Sequence, residues 1–295
     1  MALARHTRRT ACTLSLSILA ACSGGPGVET SPRPSGGGTP PPEPAGDAPV
    51  PVASGAVVYR PVSTTLAFTR RDSLTLQLPG GASQVQEFRR TAFLGVNVRG
   101  AAAPYEVNIR LDSLRQEGGL VPPDSLFRAE GTRWTGSLSA SGQLTDLQAD
   151  RASQIGDQVG ATLPVLFPAL PLSGLEQGST WTDTTDRKLK ADAFDATERA
   201  ITSYQATAAD ARAITIESRT TFERKGTGGQ AAQPMEMTAG GSRHGVYRFG
   251  KSGTVITGEG ADSAEITISV PAVGQTVPVS QRATWRIENL QARSP

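Results

Sequence analysis

Residues 245–252 read GVYRFGKS and satisfy the pattern G-x-x-x-x-G-K-S. In a nucleotide hydrolase that pattern makes a loop whose amides cradle phosphate, with Lys251 on the outer phosphates and Ser252 on magnesium. Such a loop needs a buried strand before it and a helix after it, so that the helix N-terminus faces the anion. Neither condition is met. Val246, Tyr247, Arg248 and Phe249 alternate as a strand, and their bulk obstructs close approach of the backbone to phosphate. The following GTVITGEG is β-prone. Gly245, Gly250, Lys251 and Ser252 are therefore a false phosphate-loop match, and the segment is expected to be a hairpin turn with Lys251 in solvent.

Other chemistry is sparsely provided for. Beyond the N-terminal leader described below, the chain has one histidine, His244. Its near neighbour Ser242 shares a strand face with it, an awkward geometry for a relay, and there is no G-x-S-x-G elbow. One histidine without a cysteine does not make the common zinc sets. Asp183, Asp186, Asp192 and Asp195 cluster, but Lys188 and Lys190 sit among them, which reads as a solvated polar segment rather than a calcium site. Two carboxylates of a glycosidase could lie anywhere in such a chain, and nothing singles out a pair. Trp134, Trp181 and Trp285 read as core or strand-edge anchors. The expectation is a protein without catalytic residues, cofactor, metal or nucleotide, with an envelope hydrolase or a purely structural interaction scaffold as the alternative.

The N-terminus points elsewhere. Arg5, Arg8 and Arg9 precede a short apolar run over residues 10–21, too short to span a bilayer. The run ends in Leu19, Ala20, Ala21 and Cys22, which resembles the bacterial lipobox. That resemblance implies a signal peptide over 1–21, cleavage before Cys22 and acylation of Cys22. Cys12 leaves with the leader, so the mature chain keeps one cysteine, the one that carries lipid. The leader also removes three arginines and no acid. This leaves 26 basic against 27 acidic side chains, so charge gives no argument for nucleic acid. Residues 22–54 are the lipidated cysteine and a Gly-, Pro- and Ser-rich stretch with little to bury, which reads as a disordered tether. At about 3 Å per extended residue it reaches several tens of ångströms. Ser23 after the cysteine, rather than Asp, favours the outer membrane, facing the periplasm, over the inner membrane.

Residues 55–295 read as a single β-rich domain. Tyr105, Val107, Ile109 and Leu111 alternate with polar residues, as do Ala264, Ile266, Ile268 and Val270, and Ala283, Trp285 and Ile287. One-sided strands belong to antiparallel sheets covered on one face. Aromatic residues, at 5%, are too few for the two girdles of an outer-membrane barrel. Ile155, Val159 and Leu163 break the period and fall at helical spacing. Thr145 to Gln148 has capping-box form, so one central helix is expected over about 146–163. A weak repeat sets Gly131 against Gly241 and Gly142 against Gly253, suggesting two similar β halves, roughly 55–148 and 176–295, flanking that helix. The expected fold is mainly β: a curved antiparallel sheet, half-barrel or sandwich-like, packed on one helix.

This layout of lipobox, tether, curved sheet and helix loosely resembles the LolA/LolB and LppX-type lipid carriers. The run from Phe167 to Asp183, in which prolines lead to G-x-x-W, resembles a segment of uncharacterised lipoprotein domains. The likeness is architectural and implies a membrane-anchored, non-enzymatic envelope protein that binds an apolar ligand or a protein partner. Ile155, Val159 and Leu163 would line the cavity between helix and sheet.

Overall fold

Alternation of apolar and polar residues persists for up to 18 residues at a time, and in the computed structural model it builds long strands. The structure describes residues 57–78, 81–119, 121–191, 194–230 and 233–292. The leader, Cys22 and the tether lie outside the described residues. The strands are β1 (Val62–Gln77), β2 (Ser83–Arg99), β3 (Tyr105–Gly118), β4 (Arg133–Leu138), β5 (Leu144–Ala149), β6 (Thr180–Ala191), β7 (Phe194–Ala209), β8 (Ala213–Gln230), β9 (Gln233–Gly250), β10 (Thr254–Val270) and β11 (Gln275–Asn289). They form one antiparallel sheet of 11 strands in the order β5-β4-β3-β2-β1-β11-β10-β9-β8-β7-β6. The sheet is not closed: β5 and β6 are its edges.

The order follows from hairpins. β1 to β5 meander outward to one edge. The chain then crosses to the far edge, and β6 to β11 meander back until β11 pairs with β1, Leu66 opposite Asn289. The crossover carries helix α2 (Gln154–Thr162) and a 3-10 turn over Leu163–Leu166. A short helix α1 (Pro123–Ala129) joins β3 to β4. Five strands thus precede α2 and six follow it. The repeat is confined to its turns. Gly142 and Gly253 both sit at positive φ and donate to the carbonyl three residues back, but β4 has 6 residues and β9 has 18.

The helix begins later than its sequence suggests. Thr145 to Gln148 belongs to β5, where Thr145 lies opposite Ser137 and Gln148 opposite Thr135. Pairing with the exposed edge of β4 satisfies that backbone better than an isolated first turn. The true cap is Ser153, whose side chain accepts from the Gly156 amide at 3.2 Å. The anticipated stripe is nevertheless buried: Ile155, Val159 and Leu163 all enter the main core. They share that core with Leu66 and Phe68 of β1, Leu94 of β2, Ile109 of β3 and Ile287 of β11. Each such side chain contributes about 1.5–3 kcal/mol by leaving water.

The proline-rich crossover has few amides to pair, and aromatic side chains from several elements hold its carbonyls. The Tyr59 hydroxyl donates to Pro168 O at 2.7 Å and Trp181 Nε1 to Ala169 O at 3.1 Å. Trp181 in turn stacks on Tyr204, ring centroids 5.1 Å apart. Burial pushes the Tyr204 hydroxyl up to about 12 and also raises those of Tyr59 and Tyr247 well above the ordinary tyrosine value.

Candidate functional site

Two faces of the sheet offer different chemistry. The helix-covered face carries even-numbered residues of β7 and β8 and odd-numbered residues of β9 and β11. Across its middle runs a belt of charge. The Glu198 side chain is fully buried and surrounded by three guanidiniums. Its Oε1 accepts from Arg187 Nε at 3.0 Å, Arg187 Nη2 at 2.6 Å and Arg243 Nη1 at 3.1 Å. Its Oε2 accepts from Arg224 Nη2 at 2.6 Å and Arg243 Nη2 at 2.7 Å. The Arg243 guanidinium also lies 4.1 Å from the Phe222 ring centroid. Burial alone would raise the Glu198 carboxyl, but Arg187, Arg243 and Arg224 outweigh it and hold it well below the usual carboxylate range. The belt continues through Arg70, which bonds Asp72 at 3.0 Å and Asp262 at 2.7 Å. Asp262 also accepts from Trp285 Nε1 at 3.2 Å. A carboxylate saturated with charged donors is a structural anion, not a proton acceptor.

Among the described residues, the opposite face is exposed along β7 to β11. In its middle lies a solvent-facing trough of about 970 Å³ that crosses β7, β8, β9, β10, β11 and β1. The register explains the hollow. One cross-strand row runs Arg219–His244–Ala261–Thr284–Arg71, and the next runs Thr221–Ser242–Ser263–Arg282–Ser73. Ala261 and Ser263 on β10, with Ser242 and Thr284 beside them, are small, so the floor is low there, and Arg219 stands to one side of it and Arg282 and Arg71 to the other. The backbone beneath is tightly layered. A Cβ on Gly260 would collide with the His244 carbonyl and with the Trp285 ring, which lies on the covered face. Arg219 and Arg282 are exposed and make no ion pair or hydrogen bond among the described residues. Arg71 pairs with Glu87 at 3.1 Å, with both side chains more than half exposed. The Ser242 and Ser263 hydroxyls meet at 3.1 Å.

The residues singled out from sequence are dispersed. Gly250 ends β9 and Thr254 opens β10, so strand follows strand across Gly245, Gly250, Lys251 and Ser252. Gly253 turns the hairpin at φ +88° and donates to Gly250 O at 2.9 Å. Lys251 is exposed, and Phe249 is fully buried beside Tyr59. His244 and Ser242 share the exposed face, and the Ser242 hydroxyl meets Ser263 rather than the imidazole. Asp183 accepts from Gln143 at 3.0 Å, Asp186 and Asp195 are exposed, and Asp192 lies outside the described residues. No group of three metal-ligating side chains occurs among the described residues, and no helix among them is long and apolar enough to cross a membrane.

Ile155, Val159 and Leu163 are buried in the main core, and Val159 lines a small gap there. The gap beside Val159, between α2 and the sheet at Phe68 and Ala92, measures about 30 Å³. That holds about one or two waters and no acyl chain. Sequence reasoning missed the trough and the Glu198 cage, since both depend on strand register. No protein-family model and no curated protein matches the chain.

Proposed function

We propose that this is a membrane-anchored extracytoplasmic lipoprotein of the cell envelope that binds a partner, without catalysis, through its exposed sheet face. The observation that carries the reading is the contrast between the two faces: a trough of about 970 Å³ on one and a gap of about 30 Å³ under the helix on the other. An enclosed apolar ligand of ordinary size needs roughly 300 Å³ or more, about ten times the gap that Val159 lines, which favours the trough as the binding surface. The buried carboxylate of Glu198 is occupied by arginine donors, which supports a binding rather than a catalytic role. Anchoring rests on Cys22: two or three acyl chains there hold a protein firmly, whereas one binds reversibly.

The test has two arms. Cys22→Ala should move the protein from carbonate-washed membranes to the soluble fraction, and retention on the membrane defeats the lipoprotein reading. Ser263→Trp fills the trough floor. Native mass spectrometry of gently released protein should then lose any ligand or partner carried by the wild type, at an unchanged melting temperature. A complex that survives Ser263→Trp removes the trough as the binding surface.

A further inference from the structure

We infer that the occupant of the trough is an acyclic polyol phosphate, a flexible chain of hydroxylated carbons carrying phosphate groups; this rests on the trough being the binding surface. The trough crosses six strands, and at about 4.8 Å per strand interval its floor is about 24 Å long, which suits a linear ligand. Cations stand towards both ends and the middle is neutral. The cations are Arg219 on β8 at one side and Arg282 and Arg71, diagonal neighbours on β11 and β1, at the other. Arg219 and Arg282 lie three strand intervals apart, about 14 Å. Between and beside them are the hydroxyls of Thr221, Ser242, Ser263, Thr284 and Ser73. A hydroxyl both donates and accepts, so this floor matches a hydroxylated linker, while guanidiniums bind phosphate by paired N–H donors.

Other occupants fit less well. A cyclic sugar commonly stacks on an exposed aromatic plane, and the trough lining offers none beyond the small His244 imidazole; Trp285, Tyr247 and Phe222 lie on the covered face. A protein partner anchors through aromatic or apolar pockets, and Ile201 at one end is the largest apolar group in the lining. A neutral polyol would leave the cations desolvated without a counter-charge. The rows on either side carry more acid than base, Glu217 and Glu259 against Arg286 on one and Glu223 and Glu265 against Arg199 on the other. They repel an anion that strays and so confine it to the two middle rows. The Arg71–Glu87 pair is exposed and weak, so it yields to a phosphate.

Calorimetric titration of the full chain in detergent with a short glycerol phosphate oligomer tests this, with unphosphorylated polyglycerol and inorganic phosphate as comparisons. The oligomer should bind, more weakly as salt rises, and at least tenfold more tightly than either comparison. The double variant Arg219→Gln/Arg282→Gln should weaken it at least tenfold at an unchanged melting temperature, and Ser263→Trp should abolish it. Equal binding of polyglycerol, lost in Ser263→Trp, overturns the phosphate inference and leaves the trough as the surface. Equal binding of inorganic phosphate means a lone anion site and overturns it too. Binding unaffected by either variant lies elsewhere and defeats both readings. If no probe binds, the inference fails, and the native complex of Ser263→Trp decides the trough independently.

Discussion

Glu198 shows how one side chain can organise a sheet face. Three arginines from β6, β8 and β9 converge on a carboxylate on β7, so the cluster ties four strands together. Glu198→Gln leaves three partly buried guanidiniums facing one another without their counter-charge and should cost about 3 kcal/mol in denaturant unfolding. Folding lowers the pKa of this carboxyl, so the native state binds its proton less readily than the unfolded chain. Its stabilisation is complete above the ordinary glutamate value of about 4.3 and is lost as pH falls below it. Between pH 5 and pH 3 the melting temperature of the wild type should drop more steeply than that of Glu198→Gln; parallel curves would place the acid sensitivity elsewhere. The hairpin at Lys251 makes an opposite prediction. Lys251→Ala should change stability by no more than about 0.5 kcal/mol, and Phe249→Ala should cost about 3–5 kcal/mol. Mg-ATP should shift the melting temperature of neither. A nucleotide-dependent rise that disappears in Lys251→Ala would restore the phosphate-loop reading.

Elements were legible where one periodicity dominated. Alternation in residues 105–111 and 283–287 marked one-sided strands, and the burial of Val107, Ile109 and Leu111 and of Ala283, Trp285 and Ile287 follows it. The stripe of Ile155, Val159 and Leu163 gave the helix its face but not its start. Two serine- or threonine-led caps competed within ten residues, and the edge of β4 claimed the first for β5. Ser153→Ala should therefore cost about 1 kcal/mol, and Thr145→Ala should leave helix content unchanged by circular dichroism. The reverse ranking would put the helix start back at Thr145. Helix α1 was announced only by Pro123 at its first position, a signal too common in loops to decide on. The trough was invisible for a different reason. Ser242, Ser263 and Arg282 are unremarkable exposed strand residues one strand at a time. They become a surface only when pairing sets them opposite one another, and a period of two carries no information about register between strands.

At the scale of the whole molecule, the decisive feature is the seam between β1 and β11. Every other neighbouring pair in the sheet follows directly in sequence, whereas Thr64 and Asn289, bonded at 2.9 Å across the seam, are 225 residues apart. The two meanders are local and each can begin to form alone, but loop closure delays their union. Of these strands β11 comes last in the chain and is the one that joins the halves, so the facing flanks of β1 and β10 stay unpaired until it is in place. Refolding should show early hydrogen-exchange protection in β7 to β9 and a slower phase in Trp285 fluorescence, as β11 docks against β1. Removing residues 275–295 should leave the early protection and abolish the slow phase, with aggregation taking its place, because the exposed flank of β1 is then a template for another chain. Simultaneous protection of both meanders and the seam would mean that the sheet assembles as one unit. A protein built this way exposes two strand flanks beyond its permanent edges, those of β1 and β10, in the time between emergence of its tenth strand and arrival of its eleventh.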